Sequence, residues 1–275
     1  MRLAAVRDGA STWAARVEGD VLVGLDAPDV GDVLRRGVGA VGESGKGTDL
    51  ASAMLAPPVL APDKVLCVGV NYLSHIREVG MEPPKFPTLF AKFSRSLLGA
   101  HDSIVLPAAS RAVDWEVELA FVIGTEVRKC DSDDEALAAI AGYTVLNDVS
   151  MRDWQVRTEE WLQGKAFEAS TPVGPWLVTP DEIDHARDLR VECRVDGDLV
   201  QEGSTGDLLF TPAALVRYIS QFVTLDPGDV VSTGTPSGVG AARTPPVFLR
   251  PGQVVETTIE GIGALRNECR ADVAR

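Results

Sequence analysis

The chain has 275 residues, 45% hydrophobic and 24% charged, the mix of a globular protein with ample material for a core. Its 26 Lys and Arg face 40 Asp and Glu, a net charge of −14 with no basic cluster to offset it, which argues against a nucleic-acid partner. No apolar run reaches the roughly 18 residues of a membrane helix, and residues 1–20 lack a signal-peptide stretch, so no membrane partner and a cytoplasmic location are expected.

In chain order, residues 12–25 (TWAARVEGDVLVGL) alternate in polarity and predict a hairpin turning near Gly19-Asp20. The Gly-rich stretch 37–50 follows. Its GESGKGT lacks the Gly-x4-Gly-Lys-Ser/Thr order of a phosphate loop, and linker is the expectation. Pro57, Pro58 and Pro62 then mark the expected boundary between a small N-terminal domain, 1–58, and a larger domain, 59–275. Residues 64–70 and 115–123 read as buried strands. Ser132-Asp133-Asp134-Glu135 is a capping box, opening a helix expected to end near Gly142. Residues 143–146 form a strand running into Asn147-Asp148. Asp196-Gly197 predicts a hairpin turn, and Thr211-Pro212 an N-cap with proline at the first helical position. Pro227-Gly228-Asp229 and Pro251-Gly252-Gln253 look like two strand entries. Strands dominate, helices are short, and no βαβ rhythm appears. The predicted class is mixed α+β, mainly β and mainly antiparallel. Cys67, Cys130, Cys193 and Cys269 form no CxxC pair and read as reduced, buried thiols.

The sharpest feature is Asp114-Trp115-Glu116-Val117-Glu118-Leu119-Ala120-Phe121. Alternation along a strand puts Trp115, Val117, Leu119 and Phe121 on one face and Glu116 and Glu118 on the other, about 6.6 Å apart. The acidic face continues into Ala120 and Val122, so the acids enter a covered region, where their charges repel. A divalent cation removes the conflict; a solvated acidic face reads equally well from this motif alone. Asp148 changes the balance. Alone, Asn147-Asp148 reads more plainly as a strand-ending turn; combined with Glu116 and Glu118, Asp148 can complete three hard oxygen ligands, suited to Mg²⁺ or Mn²⁺ rather than zinc. Three protein ligands leave positions for a 2-oxo acid and a water.

His75 and Glu78 share a face at i,i+3 if residues 71–80 are helical. A carboxylate beside an imidazole suits a general base, although a surface ion pair is the plainer reading of that spacing. His101 and His185 sit in turn-like contexts and are expected in solvent. Lys165 is either a surface lysine or a buried cation facing an anion. The turn from Thr233 to Gly240 lacks the dinucleotide order, yet it can offer backbone N–H groups and a threonine hydroxyl to a carboxylate.

Taken in order from about residue 62 to 268, VGVNYLSHIREVG, KFSRSLLGAHDSIVLP, VDWEVELAFVIG, AGYTVLNDVSMRDWQ, GKAF, TPVGPWLVT, LDPGDVVSTGTPSGVG and PGQVVETTIEGIGALRNEC resemble the fumarylacetoacetate hydrolase family. The resemblance implies a β-roll-like catalytic domain behind a small N-terminal β domain, and a homodimer. It implies Mg²⁺ or Mn²⁺ held by Glu116, Glu118 and Asp148, and a His75–Glu78 pair on a mobile lid. Lys165 and Thr235 match positions that contact substrate, and Arg152 and Gln155 match positions near its oxo-acid end. Glu168, His101 and Arg95 depart from the family pattern and bear on the outer pocket.

The implied substrate is a small 2-oxo or 1,3-dioxo acid. The leading expectation is C–C hydrolysis of an acylpyruvate-type acid, with His75 activating water and Lys165 stabilising the charge that develops. The alternatives are decarboxylation of an oxaloacetate-type acid, isomerisation of a hydroxymuconate-type or 2-hydroxyhepta-2,4-diene-1,7-dioate diacid of aromatic catabolism, and an oxo-acid-binding dimer without turnover.

Overall fold

The computed structural model describes residues 1–272. The strands Arg2–Asp8, Ser11–Glu18 and Val21–Leu25 form a meander, and the expected hairpin turns at Gly19-Asp20, with Glu18 opposite Val21. The Gly-rich stretch is not a linker throughout, because Glu43–Asp49 is a strand paired with Val21–Leu25. It lies at the sheet edge and is largely exposed, so no apolar alternation is needed to hold it there. A Cβ on Gly24 would meet the Lys46 carbonyl oxygen of the paired strand at 2.9 Å, a backbone atom that cannot turn aside, so this pairing favours a glycine.

Arg2–Asp8 also pairs with Thr171–Val178, Arg2 lying opposite Val178, and this makes the meander part of one twelve-stranded sheet. The sheet continues through Ile140–Asn147, Val117–Ile123, Val230–Ser232, Val65–Gly69 and Thr88–Lys92. All these neighbours are antiparallel except Val230–Ser232 with Val65–Gly69. A five-stranded sheet runs Asp198–Ser204, Arg190–Val195, Val254–Ile259, Gly263–Ala271 and Ile104–Leu106. The mainly β, mixed α+β class is as expected.

Val117–Ile123 is buried along its whole length. Val117, Leu119, Phe121 and Ile123 join Val191, Cys193, Val255 and Leu265 of the second sheet in one apolar cluster. Ala120 and Val122 join Leu3, Val30, Val33 and Leu177 in another. Burying a side chain such as Leu119 or Phe121 contributes about 1.5–3 kcal/mol. Two-sided burial therefore pins the register, since a one-residue slip would exchange the two faces.

Local signals set the helix starts. Ser132 Oγ accepts from Glu135 N at 3.2 Å above the helix Asp133–Ala138, and Thr211 Oγ1 accepts from Ala214 N at 3.3 Å above Pro212–Ser220. The first helix ends earlier than expected. Gly142 lies inside the strand Ile140–Asn147, where a Cβ would meet the Val178 carbonyl oxygen at 2.4 Å. That glycine serves a close strand approach, not a helix stop. Asp196 (φ 53°) and Gly197 (φ 87°) make the predicted left-handed hairpin turn. All four cysteines are buried and unpaired. His101 is exposed, but His185 is only partly so: its Nδ1 lies 3.1 Å from the Tyr143 hydroxyl. Burial, followed by Arg187, lowers the His185 pKa. Its aromatic partner is 42 residues away, beyond the reach of a local reading. Among the described residues no helix is long and apolar enough to cross a membrane.

Candidate active site

Strand pairing assembles the acidic cluster. Val117 lies opposite Asn147, so Glu116 and Asp148 leave adjacent strand ends side by side. Asp148 N donates to the Glu116 carbonyl oxygen at 2.9 Å, and Glu116 N donates to Asn147 Oδ1 at 3.0 Å. Asn147 Nδ2 in turn donates to Thr257 Oγ1 at 3.2 Å, which gives this polar residue its reason for ending a buried strand. Glu116, Glu118 and Asp148 are all buried, and one carboxylate oxygen from each lies within 4.8 Å of the others.

Three cations enter the same cluster. Lys165 Nζ lies 2.7 Å from both Glu116 Oε2 and Asp148 Oδ2, and its residue is 2% exposed. Of the two readings of this lysine, the structure shows the buried one. Lys92 Nζ lies 2.6 Å from Asp148 Oδ1. Arg152 Nη1 reaches Glu116 Oε1 at 2.6 Å and Gln155 Oε1 at 3.0 Å, and its Nε donates to Asp114 Oδ2 at 2.8 Å. Asp114 also accepts from the backbone N–H groups of Trp115, Gly240 and Ala241. Glu118 Oε2 accepts from Ser232 Oγ and from Gly234 N.

Four carboxylates thus face three cations, an excess of one negative charge when all four carboxylates are ionised. Burial, then the charges of Asp148 and Glu116, push the Glu118 pKa well above the usual carboxylate range. Burial would raise Glu116 too, but Lys165 and Arg152 outweigh it and bring its pKa down to about 2. Burial alone would lower Lys165; Asp148 and Glu116 raise it instead and keep it charged. Three converging hard oxygens with an unbalanced negative charge fit a divalent cation, which would relieve the repulsion that Glu118 experiences.

A cavity of about 330 Å³ opens above the cluster. His75, Glu116, Glu118, Arg152, Gln155, Lys165 and Thr235 line it, and Val68, Val79, Met81, Phe90, Trp161 and Val239 form apolar wall. His75 stands on the helix Leu73–Glu78, with Nδ1 2.8 Å from Glu78 Oε2. Glu78 Oε1 accepts from Gly238 N at 2.7 Å, and Asp207 Oδ2 accepts from Ser74 N at 2.8 Å. The pair is therefore tied to the glycine-rich turn, with His75 facing the cavity, instead of lying on a free helix surface. Burial raises the Glu78 pKa, but His75 and the Gly238 N–H outweigh it and the net shift is down. Thr235 Oγ1 donates to the Val117 carbonyl at 2.9 Å and accepts from Gln201 Nε2 at 2.8 Å.

Sequence reasoning missed Lys92, Asp114 and Ser232. Lys92 did leave a signal, since it stands in the apolar run Phe90-Ala91-Lys92-Phe93. The departures Arg95 and Glu168 pair with each other on the surface at 2.7 and 3.1 Å; like His101, they stand outside the cavity lining.

Residues 64–270 match the family model described as fumarylacetoacetate (FAA) hydrolase C-terminal. The chain is 49% identical over 212 residues to the oxaloacetate tautomerase Fahd2a, mitochondrial, of Rattus norvegicus, a match covering 77% of this chain and 67% of that protein. Among solved structures, the fumarylacetoacetate hydrolase EaFAH of Exiguobacterium antarcticum is 32% identical with a TM-score of 0.87, covering 99% of this chain and 100% of that one. The 2-hydroxyhepta-2,4-diene-1,7-dioate isomerase of Mycobacterium marinum is 33% identical with a TM-score of 0.83, covering both chains in full. With the acidic cluster and the fold in agreement, the chain belongs to the fumarylacetoacetate hydrolase family.

Proposed function

We propose that the protein is a Mg²⁺- or Mn²⁺-dependent enzyme that moves a proton on a short 2-oxo diacid, with keto–enol tautomerisation of oxaloacetate as its reaction. The observation that carries this reading is one cavity lined by Glu116 and Glu118 of the acidic cluster, by His75, which Glu78 holds, and by an Arg152 whose Nη2 is buried without a hydrogen-bond partner among the described residues. The rat relative, named as an oxaloacetate tautomerase, supports the choice of substrate.

When bound by Glu116, Glu118 and Asp148, the cation supplies Lewis-acid polarisation of the 2-oxo group. His75 Nδ1 is committed to Glu78, so Nε2 is the atom that exchanges protons. It takes a proton from C3, the C–H electron pair becomes the C2–C3 double bond, and the carbonyl pair moves onto oxygen. His75 then returns the proton to that oxygen, and no atom is gained or lost. Lys165, held charged by its two carboxylates, stabilises the oxygen as its charge grows. Arg152 Nη2 offers a donor to the second carboxylate.

Hydrolysis of an acylpyruvate, the leading sequence expectation, is the second reading. The apolar wall of Val68, Phe90 and Trp161 favours it, because an acyl group would pack there. In that case His75 takes its proton from water. The implied homodimer belongs to the same proposal, and exposed Phe93 and Val156 provide apolar surface for a second copy.

The test follows the ultraviolet absorbance of enol-oxaloacetate with Mg²⁺ or EDTA, with products identified by NMR. Metal-dependent acceleration without pyruvate is expected. Pyruvate and CO₂ from oxaloacetate would point to a decarboxylase, acetate and pyruvate from acetylpyruvate to the hydrolase, and binding without turnover to a non-catalytic binder.

A further inference from the structure

Lys92 is a buried charge that the proposed chemistry leaves unused. It ends the strand Thr88–Lys92, its side chain has no exposed surface, and its Nζ lies 2.6 Å from Asp148 Oδ1 and 3.4 Å from the Val149 carbonyl oxygen. The other Asp148 oxygen meets Lys165 at 2.7 Å. Glu116 is held in the same way, with Arg152 at one oxygen and Lys165 at the other, both within 2.7 Å. Glu118 Oε2 accepts from Ser232 and from Gly234 N.

Each carboxylate oxygen has two lone pairs, so an oxygen already bonded to a cation can still ligate an ion. Gripping an ion with both oxygens of Asp148 is another matter, because that ion would face an ammonium group at each oxygen. Coordination number separates the hard cations. Calcium takes six to eight oxygens and commonly uses carboxylates through both atoms, whereas magnesium demands a six-fold set and keeps several waters.

We propose that Lys92 is a positioning residue for the metal centre: by pinning Asp148 Oδ1 it confines Asp148 to one bond with the ion, and so favours magnesium over calcium. Charge alone does not account for this arrangement. Removing Lys92 would make the cluster more negative and tighten every divalent cation, whereas removing a steric and electrostatic bar to two-oxygen coordination tightens calcium in particular. The inference rests on reading the acidic triad as a cation site, and the test separates the two ideas.

Isothermal titration of the whole protein with MgCl₂ and CaCl₂, without substrate, gives the affinity ratio directly. The wild type should bind Mg²⁺ at least as tightly as Ca²⁺. Lys92→Met should shift the ratio about tenfold toward Ca²⁺, the direction expected when ligand number and flexibility rise, with near-ultraviolet circular dichroism confirming the fold. A ratio that stays within about twofold of wild type would reduce Lys92 to a general counter-charge and overturn the proposal. A second measurement needs no variant: crystals of the wild type soaked in CaCl₂ should show Asp148 bound through one oxygen. Two-oxygen binding there overturns the role of Lys92 even if Lys92→Met fails to fold. Absence of any divalent binding would overturn the triad as well.

Discussion

Replacing Lys165 by methionine tests the electrostatic core of the site. The ammonium stands 2.7 Å from two buried carboxylates, Glu116 and Asp148. Without it, Asp114, Glu116, Glu118 and Asp148 face only Lys92 and Arg152, and the cluster loses one positive charge, going from one negative to two when all four carboxylates are ionised. Removing one partner of a buried ion pair costs roughly 3–5 kcal/mol, because the desolvated partner is left uncompensated. For a chain of this size each kcal/mol moves Tm by about 2–4 °C, so calorimetry in EDTA should show a fall of roughly 6–20 °C. Added Mg²⁺ should then narrow the gap. An ion binding the folded cluster stabilises it in proportion to RT ln(1 + [L]/Kd), and the more negative cluster binds it more tightly. Turnover of oxaloacetate should also be lost. A Tm in EDTA within about 2 °C of wild type, or a gap that Mg²⁺ leaves unchanged, would refute the idea that Lys165 balances the charge of the triad.

Four further outcomes are expected. His75→Ala should lower turnover by about 10²–10⁴-fold with little change in Tm, the usual share of a general acid–base group; enol-decay kinetics check this, and full activity would remove His75 from the chemistry. The Glu78 carboxyl is held below its ordinary value of 4.5, so its contribution to stability is complete above that pH and is lost as pH falls through the folded pKa. In urea melts, the wild type should lose more stability than Glu78→Gln between about pH 5 and pH 3, and equal losses would count against the tie to His75 and Gly238. At Gly69 an added Cβ would lie 2.1 Å from the Trp161 ring, which packs edge-on to Phe90 in the cavity wall. Gly69→Ala should therefore cost about 1–3 kcal/mol and change tryptophan fluorescence, as overpacking does. Thr211→Ala removes only a helix cap and should cost about 1 kcal/mol, read as a lower Tm with unchanged turnover.

Several parts of the site follow from short-range rules. The pleat sends alternate side chains to opposite faces, so DWEVELAF by itself separates two glutamates from a row of apolar residues. The structure packs those apolar residues against the second sheet, while Ala120 and Val122 continue the other face into a separate cluster. The capping residues Ser132 and Thr211 and the turn at Asp196-Gly197 act over three or four residues, and they sit where local chemistry places them. The errors have a common cause. Gly142 was expected to stop a helix, Glu43–Asp49 to be a linker, and His185 to be solvated. In each case the deciding neighbour is distant along the chain: the Val178 carbonyl, the edge of Val21–Leu25 and the Tyr143 hydroxyl.

The amino-acid sequence alone determined the family, the β-rich class, and the strand that carries Glu116 and Glu118, because these rest on local patterns and on motifs in a fixed order. Tertiary structure decided how the charges are balanced. Lys165 lies 17 residues from Asp148 and 49 from Glu116, and Lys92 lies 56 residues from Asp148. An apolar flank such as that of Lys92 can hint at burial, but nothing near a lysine in the sequence names the carboxylate it will meet. Only the strand register that brings Glu116 beside Asp148, and the packing that removes water from both, turns these distant lysines into the counter-charges of one site.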